Sequence, residues 1–195
     1  LNLAESLFQA KEYAEAGQSY LEVADLTAKS PSKRRSYLQS SLDSFLQQLA
    51  IAKSNPDAQR LGVAQSRDGY RDVAEVFSKE FPRDSKIAQV RFNAAKTYYD
   101  EQQFDTASKK LYEFLLRFGS SSYAKEASLL YLDCYYLRDQ MSEMALAGKK
   151  LLGLKNLSGE ARTAVKSAAN QAAMKAVRSV AGDFGSKEYA TKFRE

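Results

Sequence analysis

The stretch EFPRDSKIAQVRFNAAKTYYDEQQF, residues 80–104, decides the fold because it recurs further along the chain as RFGSSSYAKEASLLYLDCYYLRDQM, residues 117–141. The two segments align without a gap at an offset of 37 residues (from 98 to 135), which places Tyr135–Tyr136 over Tyr98–Tyr99. Self-similarity at a fixed period of this length is typical of proteins built from repeated supersecondary units.

Each unit contains two helical patterns, in which apolar residues recur at steps of three and four. In the first unit these positions are Ile87, Val90, Ala94, Ala95 and Tyr98, followed by Ala107, Leu111, Phe114, Leu115 and Phe118. The polar segments DEQQ and LRDQ separate the two helices of a unit, and PRDS and GSSS separate successive units. Each unit is therefore predicted to be a helical hairpin.

The same reasoning predicts an all-α chain of roughly nine to ten helices. Hairpin units are expected at 1–29, 81–117 and 118–154, with longer irregular helices over 32–80. The Ala-rich segment 158–181 is expected to cap the last unit, because a repeat array must cover its terminal apolar face. The stretch 57–81 is compatible either with one continuous helix or with a bend near Gly62 or Gly69.

Composition argues against an enzyme. The chain has no histidine, which removes the commonest general base and metal ligand. No Gly-rich phosphate loop is present, and the lone Cys134 is interpreted as a small packed residue without a catalytic partner. We therefore predict no catalytic residues, no metal site and no cofactor. No apolar run approaches the ~18 residues of a transmembrane helix, so no membrane-spanning segment is predicted.

The net charge of +5 could attract nucleic acid, but 24 acids are interleaved among 29 bases. Clusters such as SKRR, residues 32–35, are short and are interpreted as solvated helix ends. Nucleic-acid binding by a basic helical-repeat array is kept as a third alternative.

The helical units resemble the tetratricopeptide repeat (TPR) family in their order of small and large residues. The resemblance implies a right-handed α-solenoid of antiparallel helix pairs, forming a single domain over 1–195. The period of 37 is longer than the ~34 residues usual in that family, and the third unit departs from the pattern in its second helix. The matching positions are Ala95, Tyr98, Phe104, Ala107, Leu111 and Phe114, then Ala4, Leu7, Tyr13, Ala16, Tyr20 and Val23, and more weakly Leu132, Tyr135, Met141, Met144, Gly148 and Leu151.

The junction FPRDS, residues 81–85, is similar to the FP-x-S junction of divergent TPR proteins of the bacterial envelope, with one residue inserted before the serine. Those proteins serve outer-membrane assembly and the Tol-Pal-associated division machinery. This likeness implies a periplasmic or envelope-associated location, with a cytoplasmic location as the alternative.

The resemblance also implies a function, because TPR arrays generally bind a peptide or partner protein on a concave face lined by the first helix of each pair. Tyr98 and Tyr135 are expected to pack inward, while Tyr99 and Tyr136 face a ligand. The alternative is that these last two rings merely pack against a neighbouring hairpin. A structural assembly or oligomerisation module of a larger protein is the second functional hypothesis. The predicted partner-binding residues are Gln89, Asn93, Lys96, Tyr99, Glu126, Asp133 and Tyr136.

Overall fold

The computed structural model describes residues 1–54 and 62–184, with side chains through Arg178. Within these residues the chain forms helices and connecting turns and contains no strand, which confirms the predicted all-α class. The nine helices of the described ranges are α1 (Asn2–Gln9), α2 (Tyr13–Leu26), α3 (Pro31–Ser54), α4 (Val63–Glu80), α5 (Ile87–Asp100), α6 (Phe104–Phe118), α7 (Ala124–Tyr136), α8 (Met141–Leu152) and α9 (Gly159–Phe184).

The start of α4 decides in part whether the stretch 57–81 is one continuous helix or is bent near Gly62 or Gly69. Gly62 directly precedes the helix with a φ of +76°, a left-handed conformation that favours glycine. Gly69 lies within α4 and does not interrupt it. The chain is therefore one continuous helix from Val63 to Glu80, while 57–61 lies outside the described residues.

Three turns between consecutive helices, α1–α2, α5–α6 and α7–α8, share one geometry. The residue two positions before each second helix has a positive φ, 66° at Lys11, 60° at Gln102 and 56° at Asp139. Gln102 and Asp139 are related by the 37-residue period, so the repeat extends to the backbone conformation. In each turn the next amide donates to the carbonyl five residues earlier: Glu12 to Leu7 (2.9 Å), Gln103 to Tyr98 (3.0 Å) and Gln140 to Tyr135 (3.0 Å).

The Gln102→Gly substitution is expected to raise the free energy of unfolding by about 0.5–1 kcal/mol, because glycine adopts a positive φ without steric cost. Urea denaturation of the purified chain measures this change. Gln103→Gly is the control, since Gln103 has a φ of −80° and gains nothing from glycine. A loss of stability in both variants would contradict the prediction.

The helices divide into two densely packed units, Leu1–Thr97 and the part of the chain from Tyr98 onward. In the first unit, α2 packs against α1 and α3, and α3 packs against α4. Ala4, Ala16 and Tyr20 form a buried cluster against which Leu7 and Tyr37 pack. Several positions of the N-terminal repeat pattern thus share one core.

The SKRR cluster differs from its prediction, because Arg34 is not solvated. Its side chain is only 13% exposed and forms an ion pair with Glu80. The neighbouring Arg35 pairs with Asp84 in the FPRDS junction, and this guanidinium lowers the pKa of the Asp84 carboxyl. The predicted solvation is therefore wrong for Arg34, whereas Arg35 is 38% exposed at the start of α3 while it pairs with Asp84.

In the second unit, α7 packs against α6, α8 and α9. The segment predicted as a capping helix over 158–181 lies in α9, which runs from Gly159 to Phe184 and buries Ala161, Val165 and Ala172. The α8 and α9 backbones approach closely, since a Cβ on Gly148 would lie 2.4 Å from the Cβ of Ala169. Small residues on both helices therefore permit this close contact.

Candidate functional site

A largely apolar groove runs along α7 in the second unit, with a volume of about 330 Å³. We call it the α7 groove. Its volume is at the lower end of the range typical of ligand pockets, enough for a few side chains of a partner. The residues lining it are Glu126, Leu129, Leu130, Leu132, Asp133 and Tyr136 from α7, Met144 from α8 and Ala168 from α9.

The lining residues of α7 share one side of the helix because they recur at three- and four-residue steps. Leu132 is buried at 1% exposure and belongs to the core below the groove. Leu129 and Tyr136 are exposed to 39% and 47%, which is high for large apolar side chains. The groove therefore offers apolar surface that the described residues leave open to solvent.

Tyr99, at the end of α5, supports the groove. Its ring packs edge-to-face against Phe104 at a centroid distance of 5.7 Å, and its hydroxyl donates a hydrogen bond to the Asp133 carboxylate. Burial and this carboxylate raise the pKa of the Tyr99 hydroxyl, so Tyr99 remains the donor near neutral pH. Asp133 is thereby oriented by a side chain from another helix.

At the other end of the groove, Tyr136 is covered in part by Lys175 of α9, whose ammonium nitrogen lies 5.0 Å from the ring centroid. Such a cation–π contact contributes about 0.5–1 kcal/mol at an exposed site. The ring is thereby held beside α9, yet nearly half of its surface still faces solvent. Tyr136 is therefore an oriented aromatic surface suited to contact with a partner.

No protein-family model and no curated protein matches this chain. Inference about function therefore depends on the geometry of the chain itself.

The groove brings together three of the predicted site residues, Glu126, Asp133 and Tyr136. Tyr99 contacts Asp133 of α7, which favours the alternative interpretation of that ring as a packing residue. Gln89, Asn93 and Lys96 belong to the first unit and do not line the groove. The part that each of the seven plays in partner binding stays a prediction.

Sequence reasoning did not assign six residues to the groove and its rim, and one of them, Leu132, was expected only as a packing residue. Leu129 and Leu130 could have been found, because they lie three and four residues after Glu126 on the same helix face. Met144, Ala168 and Lys175 come from other helices, so their place depends on tertiary packing alone.

Cys134 and Tyr131 lie beneath the surface of α7. Burial raises the pKa of the Cys134 thiol to about 12, and burial together with the Tyr135 hydroxyl, 3.5 Å away, raises the pKa of Tyr131. Both groups therefore stay protonated at neutral pH, and Cys134 is packed as the sequence predicted. Nearby, Arg138 pairs with Asp105 and donates to the Cys134 carbonyl at 2.7 Å, connecting the end of α7 to the start of α6.

Across residues 1–54 and 62–184, no group of three or more Asp, Glu or Cys side chains is arranged to hold a metal ion. No helix in these same ranges has the length and hydropathy needed to cross a membrane.

Proposed function

We propose that this chain is a non-catalytic interaction module of the TPR type, which binds a protein or peptide partner in the α7 groove. The observation that carries the proposal is the groove itself, where solvent-exposed Leu129 and Tyr136 flank a buried leucine floor. Exposed apolar patches on folded proteins mark interaction sites, and tyrosine is enriched among the residues that dominate binding energy. The shared hairpin turns and the 37-residue repeat support a TPR-like solenoid as the scaffold.

An envelope or periplasmic location is part of the same proposal and has one support, the similarity of the FPRDS junction to envelope TPR proteins. Fractionation of the source cells tests it with an antibody against the chain. Recovery of the chain in the cytoplasmic fraction alone would refute this location without affecting the groove.

The nucleic-acid alternative is weakened by the ion pairs of Arg34 and Arg35. Both arginines of the SKRR cluster are engaged by acidic side chains of the same unit. They therefore contribute little to a phosphate-binding track.

The groove is tested by a photo-crosslinking residue placed either at Leu129 or at Leu146. Leu146 is the matched control, because it is 66% exposed on α8 and does not line the groove. In the source organism we expect a discrete protein adduct from position 129 and none from 146. Adding Tyr136→Ala should reduce the adduct by about tenfold, which corresponds to about 1.4 kcal/mol of binding free energy.

A thermal melt of each variant separates binding from folding. Tyr136 is half-exposed, so Tyr136→Ala should leave the melting temperature close to that of the parent chain. Equal adducts from positions 129 and 146 would refute the α7 groove as the binding site. An adduct that joins two copies of this chain would instead support the oligomerisation alternative.

A further inference from the structure

The segment from Met144 to Arg178 departs from the even mixture of acids and bases found in the rest of the chain. It contains one acid, Glu160, whose carboxylate pairs with Lys125 of α7 at 2.7 Å. Seven cations against this one acid give the segment a net charge of +6, compared with +5 for the whole chain. The seven are Lys149, Lys150, Lys155, Arg162, Lys166, Lys175 and Arg178.

Three of these cations are engaged within the second unit. Arg162 donates to two backbone carbonyls at and just after the end of α8. Lys150 and Lys175 lie over tyrosine rings. The other cations of the two helices are exposed and form no ion pair with the described residues, namely Lys149, Lys166 and Arg178.

Large apolar side chains share the exposed side of α9 with two of these cations. The residues on this side recur at three- and four-residue steps and are Lys166, Asn170, Met174, Val177 and Arg178. The buried residues of α9 occupy the opposite side of the helix. Met174 and Val177 are 55% and 68% exposed, so this side combines open apolar surface with positive charge.

The adjacent helix α8 continues this surface. Leu146 is 66% exposed, and Lys149 follows it three residues later on the same side of the helix. Both α8 and α9 pack against α7 and against each other, so their exposed sides face away from α7. We call this surface the outer face, and its residues are Leu146, Lys149, Lys166, Met174, Val177 and Arg178.

The composition of the outer face distinguishes between anionic partners. Single-stranded nucleic acids stack their bases on aromatic side chains, and none of the six residues is aromatic. A second copy of the chain would bring like charges together. An anionic bilayer offers phosphates to lysine and arginine, and its acyl boundary accepts leucine, methionine and valine.

We infer that the outer face docks on the surface of a membrane that contains anionic phospholipids. The cations pair with headgroup phosphates, while Leu146, Met174 and Val177 enter the boundary between headgroups and acyl chains. The inference goes beyond the proposed function, because no residue of the outer face lines the α7 groove.

Co-sedimentation of the full chain with vesicles tests the inference. Vesicles of phosphatidylcholine and phosphatidylglycerol in equal parts should bind the chain at low salt, and vesicles of phosphatidylcholine alone should not. Each Lys or Arg near an anionic surface strengthens binding about fivefold. The triple variant Lys149→Gln, Lys166→Gln, Arg178→Gln should therefore bind about a hundredfold more weakly.

The triple variant Lys29→Gln, Lys33→Gln, Lys79→Gln is the matched control, since it removes the same charge from exposed positions of the first unit. It should change vesicle binding by less than about twofold, because screening limits the reach of distant charges. All six substituted side chains are exposed, so both variants should melt close to the parent temperature.

A tryptophan reporter tests the apolar part of the docking. The chain contains no tryptophan, so Met174→Trp introduces a single indole whose emission moves to shorter wavelength when it leaves water. We expect this shift on addition of the anionic vesicles. Leu26→Trp is the control, since Leu26 is 87% exposed at the end of α2 and should show no shift.

Several outcomes would overturn the inference. Equal losses of binding in the two triple variants would show attraction by net charge without a defined face. Binding of duplex DNA, with no shift of the Met174→Trp reporter on vesicles, would assign the outer face to nucleic acid. The crosslink from position 129 is a separate measurement, so the α7 groove stands if vesicle binding fails.

Discussion

Replacing Phe45 with alanine is expected to lower the free energy of unfolding by about 3–5 kcal/mol. The Phe45 ring is fully buried in the first unit, where α3 carries it between α2 and α4. It fits there because both neighbouring helices have a glycine at the contact. A Cβ on Gly17 would lie 2.6 Å from the ring, and a Cβ on Gly69 would lie 2.5 Å from it.

The same contact predicts that Gly69→Ala lowers the free energy of unfolding, although this substitution usually raises it within a helix. In an exposed helix this substitution stabilises by about 1 kcal/mol, because alanine has the higher helix propensity. Here the new methyl group would overlap the ring, and overpacking costs about 1–3 kcal/mol. We expect a net loss of up to about 2 kcal/mol in the parent chain and a gain of about 1 kcal/mol in the Phe45→Ala background.

Urea denaturation of the four chains of this double-mutant cycle measures the coupling directly. Gly159→Ala is the control, since a Cβ at Gly159 would meet no atom within 4 Å. If Gly69→Ala stabilised both backgrounds equally, packing of the Phe45 ring would not require glycine at position 69.

Replacing Arg34 with methionine is expected to cost about 2 kcal/mol. The Nε and one terminal nitrogen donate to the two Glu80 oxygens at 2.6 and 2.9 Å, and the other terminal nitrogen donates to the Ala24 carbonyl at 2.8 Å. The guanidinium thus connects the end of α2, the start of α3 and the end of α4. Charge-assisted bonds of this kind contribute more than neutral ones when the group is shielded from water.

The contact of Arg34 with Asp25 should contribute little to that loss. Asp25 is 67% exposed, and ion pairs at such sites are weakened by solvent. Asp25→Asn is therefore expected to change the unfolding free energy by less than about 0.5 kcal/mol.

Arg34→Lys separates charge from geometry, because lysine keeps the charge but cannot form the paired contact with Glu80. We expect Arg34→Lys to lower the free energy of unfolding by most of the amount that Arg34→Met does, as measured by urea denaturation. Lys33→Met controls for the removal of a neighbouring exposed cation. Full stability of Arg34→Lys would show that charge alone accounts for the effect.

The helix positions could be predicted because they follow from the spacing of apolar residues close together in the sequence. The starts of α5 and α7, Ile87 and Ala124, are one 37-residue period apart, as are Phe104 and Met141 at the starts of α6 and α8. Glu126, Asp133 and Tyr136 were predicted together because the resemblance to TPR arrays implied a partner-binding face on this helix, and their spacing is compatible with one face. The positive φ at Lys11 and Gln102 was not foreseen, because Lys and Gln rarely adopt that conformation, whereas Asp139 is of a residue type enriched there.

Sequence alone therefore determined the all-α class, the repeat and the spacing that places Glu126, Asp133 and Tyr136 on one face of α7. Tertiary structure decided that the Tyr99 hydroxyl donates to Asp133, 34 residues away. It also decided that two glycines leave space for the Phe45 ring. The residues that border the groove from other helices, Met144, Ala168 and Lys175, depend on it as well. The physical reason is that helical periodicity sets a side chain's direction about its own axis. Which side chain it meets depends on how close the helices pack and in what register, and these are set by the shapes of both surfaces together.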